Sequence, residues 1–143
     1  MRLILVGIFL AAFGLRLAYA LHISPYSDEY ITMLAARGVL RCGRPILPSG
    51  FFYDHGIAFV YLDALFLALL GFTREAARTA SVFVGILMLA LLYDVGRRWF
   101  SPRVGLLAAL LLALTPDAIV WHGRARMYSL LQLAFCAGVF WLY

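Results

Sequence analysis

Residues 3–21 run for 19 positions with one charge, Arg16, and that stretch most constrains what this chain can fold into. A helix of that length reaches about 30 Å, the thickness of a bilayer's hydrocarbon core. Comparable runs recur at 76–96, 104–121 and 127–143. Apolar residues make up 65% of the chain and the mean hydropathy is +0.94, whereas soluble domains hold about 45–50% apolar residues. Too little polar surface remains to coat a water-soluble globule. The expected fold is an all-α polytopic membrane protein, with transmembrane helices and an external loop carrying juxtamembrane amphipathic helices.

The first run lacks a small-x-small cleavage site and more apolar runs follow, which predicts an uncleaved signal-anchor helix. Positive-inside logic puts Arg2 in the cytoplasm and the acidic pair Asp28-Glu29 outside. Arg16, near the far end of the run, is expected to snorkel to the interface. Residues 22–75 then form an external loop. In it Ser27 is placed to cap a short helix whose first turn holds Asp28 and Glu29, where carboxylates complement the helix dipole. Ile31, Leu34 and Ala35 share one face of that helix, which is expected to lie on the membrane and end between Gly38 and Gly43. Residues 57–72 are apolar but only 16 long and carry Asp63, so an interfacial or re-entrant helix is expected.

All twelve basic residues are arginines. Two topologies compete: if 57–72 spans, the basic hinge 97–103 faces outward and Arg124 and Arg126 face the cytoplasm; if it does not, the compact hinge is cytoplasmic, the preferred arrangement, and Arg74, Arg78, Arg124 and Arg126 lie outside with Asp28-Glu29. Asp94 is expected to pair with Arg97 or Arg98 at a helix end. The net charge of +5 suits anionic head groups and substrates. No stretch alternates aromatic with basic residues in a solvated groove, so nucleic acid is not an expected partner. Cys42 and Cys136 do not read as a disulfide pair, and His22, His55 and His122 have no metal-ligand spacing.

The order of motifs is distinctive: Asp28-Glu29; Phe51-Phe52-Tyr53-Asp54-His55; Arg74-Glu75-Ala76-Ala77-Arg78; Tyr93-Asp94-Val95-Gly96-Arg97-Arg98-Trp99-Phe100; Leu114-Thr115-Pro116; and Arg124-Ala125-Arg126-Met127-Tyr128. The set resembles the N-terminal third of the membrane-embedded C superfamily of glycosyltransferases. Those enzymes use polyprenyl-phosphate sugars and include the protein O-mannosyltransferases and aminoarabinose lipid A transferases. The resemblance implies an inverting transferase, integral to a bacterial inner or plasma membrane, with an external active site and no cofactor or metal. The donor would be a polyprenyl-phosphate sugar, and the acceptor a lipid, glycan or protein of the cell envelope. Asp28 would be the general base with Glu29 beside it, while Arg78 and the arginine of the Arg-Met-Tyr segment, Arg126, would hold the lipid phosphate. His55 stands where relatives carry Lys or His before Pro-Pro-Leu, and would bind phosphate or tune the base. Some relatives carry an acidic residue near position 129, here Ser129. The 143 residues would be the N-terminal part of a longer enzyme, inactive alone.

The chemistry demands both charge types. A hydroxyl nucleophile loses its proton to a carboxylate as it attacks the anomeric carbon, and guanidinium groups take up the charge that develops on the leaving phosphate. Tyr128 is a further hydrogen-bond donor to that phosphate. Arg124 and Arg126, two apart, would diverge on a helix, so Arg126 alone is expected in the site. A different reading makes the chain a small transporter or channel subunit whose Asp63 and Asp94 relay ions, or a non-catalytic assembly partner. The preferred topology predicts that Thr73→Cys is labelled by an impermeant thiol reagent from outside the cell and Ser101→Cys only after permeabilisation. The reverse pattern would put the arginines and the acidic pair on opposite leaflets.

Overall fold

The computed structural model describes residues 2–142 as seven helices, with short connections except for the loop 43–56, which carries an isolated bridge between Ile46 and Phe52. They are α1 (Arg2–His22), α2 (Ser27–Cys42), α3 (Ile57–Leu70), α4 (Arg74–Trp99), α5 (Pro102–Leu114), α6 (Pro116–His122) and α7 (Tyr128–Leu142). Two helices, α1 and α4, are long and apolar enough to cross a membrane, and α5 with α6 forms a third candidate, bent by 68°. The 14 residues of α3 reach only about 21 Å, short of a straight crossing. Tyr143, the end of the expected fourth run, lies outside the described residues.

The central element is α4, which packs against α1, α3, α5, α6 and α7. Thr73 starts it, its Oγ1 accepting from the Ala76 N–H at 3.1 Å. Small residues let the neighbours come close. A Cβ on Gly96 would stand 2.8 Å from the Gly105 Cα, and one on Gly85 would stand 2.6 Å from the His122 ring. The α4–α5 hairpin therefore has backbone against backbone at its turn. There Ser101 caps α5 and Pro102 opens it. At the end of α4 Asp94 pairs with both Arg97 and Arg98 at 2.7 Å, as the sequence predicts.

The run 104–121, expected as one straight helix, is broken at Thr115-Pro116. The residue before a proline is driven out of the α region, and Thr115 is extended (φ −66°, ψ 119°). The break frees carbonyls at the end of α5, and Arg16 takes them. Its Nη2 donates to Leu112 O at 3.0 Å, its Nη1 to Ala113 O at 3.3 Å, and its Nε to His122 Nδ1 at 3.2 Å. His122 Nε2 in turn lies 2.8 Å from Gln132 Oε1 on α7. Arg16 is thus fully buried and does not snorkel. A charge that reads as an interfacial anchor instead ties α1 to the α5–α6 corner.

Beside this bundle, α2 and α3 pack together, and α3 packs on α4. Met33, Ala36, Val60, Ala64, Leu67, Ala76, Ala77 and Ala125 form their shared core. Tyr26, not Ser27, is the cap residue of α2, and Gly43 ends it in the left-handed region (φ 74°). The face of α2 that packs inward carries Glu29, Thr32, Met33 and Ala36, and leaves Ile31 exposed.

Arg16→Met is expected to cost about 2–4 kcal/mol of stability, because it leaves buried carbonyls and His122 unsatisfied. Unfolding in detergent measures it, and a variant as stable as the native chain would remove Arg16 from the framework described here.

Candidate functional site

The acidic pair at the start of α2 splits into two roles. Glu29 points inward and is 1% exposed. Its Oε1 accepts from Arg78 Nε at 2.8 Å and from the Ala125 N–H at 2.9 Å. Its Oε2 accepts from Arg78 Nη2 at 2.7 Å and from the Tyr26 N–H at 2.8 Å. The Tyr26 contact is one half of a capping box, with the glutamate at the third helical position. Arg78 spends its remaining N–H groups on Ala20 O (2.6 Å), Ile23 O (3.0 Å) and Ser24 O (3.4 Å). All five of its donors are engaged. In this arrangement Arg78 has no N–H left for a phosphate, and Glu29 has no free lone pair aimed at a substrate. Together the two residues form a structural joint between α1, α2, α4 and the turn at Ala125.

Burial is the largest influence on the Glu29 carboxyl and pushes its pKa up. The hydrogen bonds from Arg78, Tyr26 and Ala125 and the charge of Arg78 together outweigh it, leaving the carboxyl below its ordinary value.

Asp28 is turned the other way, with a side chain 41% exposed and Oδ2 3.3 Å from Arg126 Nη2. Arg126 Nη1 also donates to Asp28 O and to the Tyr53 hydroxyl, both at 3.4 Å. The Arg126 guanidinium lies 5.6 Å from the Tyr128 ring centre. Arg124 stands beside it, 5.3 Å from the Tyr26 ring and 6.0 Å from that of Trp121. Its Nη2 reaches the Tyr19 hydroxyl at 3.4 Å, and its buried Nε has no partner among the described residues. Together Tyr26, Asp28, Trp121, Arg124, Arg126 and Tyr128 line a cavity of about 310 Å³.

Both arginines reach this cavity because residues 123–127 are not helical. Gly123 ends α6 against α1, where a Cβ would fall 2.6 Å from Tyr19 Cδ1. The Arg126 N–H then bonds Arg124 O at 2.8 Å, a three-residue turn that brings the two side chains to one side over the buried Ala125. The expectation that Arg124 diverges assumed a helix there. Tyr128 is in the cavity wall. His55 is not: it is exposed, 2.7 Å from Asp54, and the nearby aromatic that touches Arg126 is Tyr53. Asp117 lines a neighbouring cavity of about 270 Å³ that shares Trp121 and Tyr128 with the first. Asp63 is fully buried, neither of its oxygens has a partner among the described residues, and it lies outside the lining of both cavities.

The family model described as dolichyl-phosphate-mannose-protein mannosyltransferase matches residues 54–143, well over half of the chain. No curated protein and no solved structure matches. The matched stretch contains Arg78, Arg124, Arg126 and Tyr128 and starts beyond Asp28 and Glu29. The acidic pair is joined to it by contact, through Glu29 with Arg78 and Asp28 with Arg126.

Glu29→Gln leaves the Arg78 charge buried without its counterion and is expected to cost about 3–5 kcal/mol. The double replacement Glu29→Gln with Arg78→Gln should cost less than the two singles summed. Because the folded pKa of Glu29 is lowered, its contribution is complete above the unfolded value of about 4.3 and is lost as pH falls through the folded one. Unfolding of the wild type and Glu29→Gln between neutral and acid pH checks this. Equal acid sensitivity of the two proteins would contradict it.

Proposed function

Because the chain belongs to the dolichyl-phosphate-mannose-protein mannosyltransferase family, we propose that it carries the base and the phosphate clamp of a transferase using a polyprenyl-phosphate sugar. The acceptor is a hydroxyl on a cell-envelope lipid, glycan or protein, and the reaction runs at the external membrane face. Asp28 takes the hydroxyl proton as its oxygen attacks the anomeric carbon from the side opposite the phosphate. The bond from that carbon to the phosphate oxygen breaks with its electron pair going to the leaving lipid phosphate, so the product is inverted. Arg124 and Arg126 receive that charge, and Tyr128 adds a hydroxyl donor. Arg78 and Glu29 hold Asp28 and the arginine turn at a fixed spacing without touching substrate.

One observation carries this reading: a half-exposed carboxylate and two arginines share one cavity. Its size is at the lower end of small-molecule sites, about 300–1,000 Å³. The cavity is walled by Tyr26, Trp121 and Tyr128, rings that the two guanidinium groups approach. Both guanidinium groups line the cavity, and Arg126 meets Asp28 only at 3.3 Å, a contact that a phosphate would compete for. Guanidinium groups bind it with two parallel hydrogen bonds.

In membranes carrying the native protein, Asp28→Asn is expected to lower sugar transfer from a polyprenyl-phosphate donor by about 10²–10⁴-fold while leaving unfolding unchanged. Arg124→Gln and Arg126→Gln should each lower it by about 10²–10³-fold. Wild-type transfer by Asp28→Asn would remove the base from this scheme, and wild-type transfer by both arginine variants would remove the clamp.

A further inference from the structure

The second half of α2 carries a feature that the transfer chemistry does not use. Arg37 and Arg41 are one helical turn apart on its exposed face, and Arg44 follows just beyond the glycine that ends the helix. Like charges four apart on a helix repel. The helix dipole accounts for Arg41 in the last turn, but not for three guanidinium groups together. None of the three has an ion pair among the described residues. The carboxylates at Asp28, Glu29, Asp54, Glu75 and Asp94 are spent on Arg126, Arg78, His55, Arg74 and the Arg97-Arg98 pair.

Two further observations point to what neutralises this face. Arg37 and Arg41 border a crevice of about 140 Å³ whose other walls include Leu34, Ile46, Leu47 and Pro48, so the charge stands at the mouth of an apolar slot. Beside it the surface is apolar: Leu40 is 47% exposed, and Phe51 and Phe52, paired with Leu47 and Ile46 of the crevice wall, are 74% and 55% exposed. The Arg37 guanidinium lies over the ring of Phe72, in the turn that follows α3, at 4.9 Å. Arginines bordering exposed aromatic and aliphatic side chains are the pattern of a helix seated at a membrane interface. An acidic protein partner would account for the charge but not for the apolar flank.

We propose that the α2 face formed by Arg37, Arg41 and Arg44 binds the phosphate headgroup of an anionic phospholipid, with Leu40, Phe51 and Phe52 immersed beside it in the acyl boundary. Each arginine near an anionic surface contributes attraction, and the crevice beside Leu47 and Pro48 takes the first part of the lipid. This site is separate from the cavity at Asp28, since Arg37 lies about 14 Å further along the helix axis and Arg41 about 20 Å. Lipid held there would fix the depth and tilt of α2, and with it the height of Asp28 above the bilayer.

The test uses the native protein in phosphatidylcholine vesicles containing a trace of photoactivatable phosphatidylglycerol, with the matching phosphatidylcholine probe as the second arm. Adducts are mapped by peptide mass spectrometry. The expected result is labelling of peptides spanning 37–52 by the glycerol probe, at least about threefold above the choline probe. Excess unlabelled phosphatidylglycerol should compete it away. The triple replacement Arg37→Gln, Arg41→Gln, Arg44→Gln should abolish the difference with the unfolding temperature unchanged, and the corresponding triple lysine variant should keep it. Equal labelling by the two probes, or an undiminished difference in a folded triple glutamine variant, would overturn the proposal.

Discussion

The ion pair between Glu29 and Arg78 is the constraint on which the candidate site depends. It is fully buried, bidentate, and surrounded by backbone groups that complete every remaining hydrogen bond. A pair so enclosed adds little net stability over an apolar substitute, but removing one member leaves an uncompensated charge. Its value lies in what it joins. Arg78 belongs to α4, Glu29 to α2, the accepted amide to the turn at Ala125, and the accepting carbonyls to the end of α1. Four pieces of chain distant in sequence meet at one point, and Asp28 and Arg126 are its immediate neighbours.

A second fixed point works about two turns further along α4, at Gly85. The proline break at Thr115-Pro116 costs α5 its last helical hydrogen bonds, and Arg16 answers from a different helix. The same guanidinium donates to His122, whose ring fits only because α4 has a glycine at 85. Two buried arginines thus play matching parts. Each enters a helix that reads as lipid-facing and finishes against free carbonyls elsewhere in the bundle, where water is excluded and an unpaired polar group is costly.

Much of this was legible in the sequence, and the omissions share a cause. The spans α1 and α4 were readable because long apolar runs have few alternatives, and the pairing of Asp94 with Arg97 and Arg98 because it is local. The break at Pro116 had a visible signal in Thr115-Pro116, and an unbroken helix was expected there all the same. Which member of Asp28-Glu29 faces inward turns on a single step of about 100° around the helix, and composition does not register that step. The capping-box spacing from Tyr26 to Glu29 was the available clue. Arg124 was discounted because a helix was assumed through Gly123, a residue whose real constraint is the nearness of Tyr19. The partners of Arg16 and Arg78 are mostly backbone carbonyls, which carry no sequence signature.

The edge-on contact between Trp121 and Tyr128, with ring centres 4.7 Å apart, has a consequence for access. These two rings are the partition between the cavity at Asp28 and the one beside Asp117. The partition is held by this edge contact and by the arginines beside it, Arg124 near the Trp121 ring and Arg126 near that of Tyr128. Because both rings belong to the linings of both cavities, the space open beside Asp28 depends on how Trp121 and Tyr128 pack against each other.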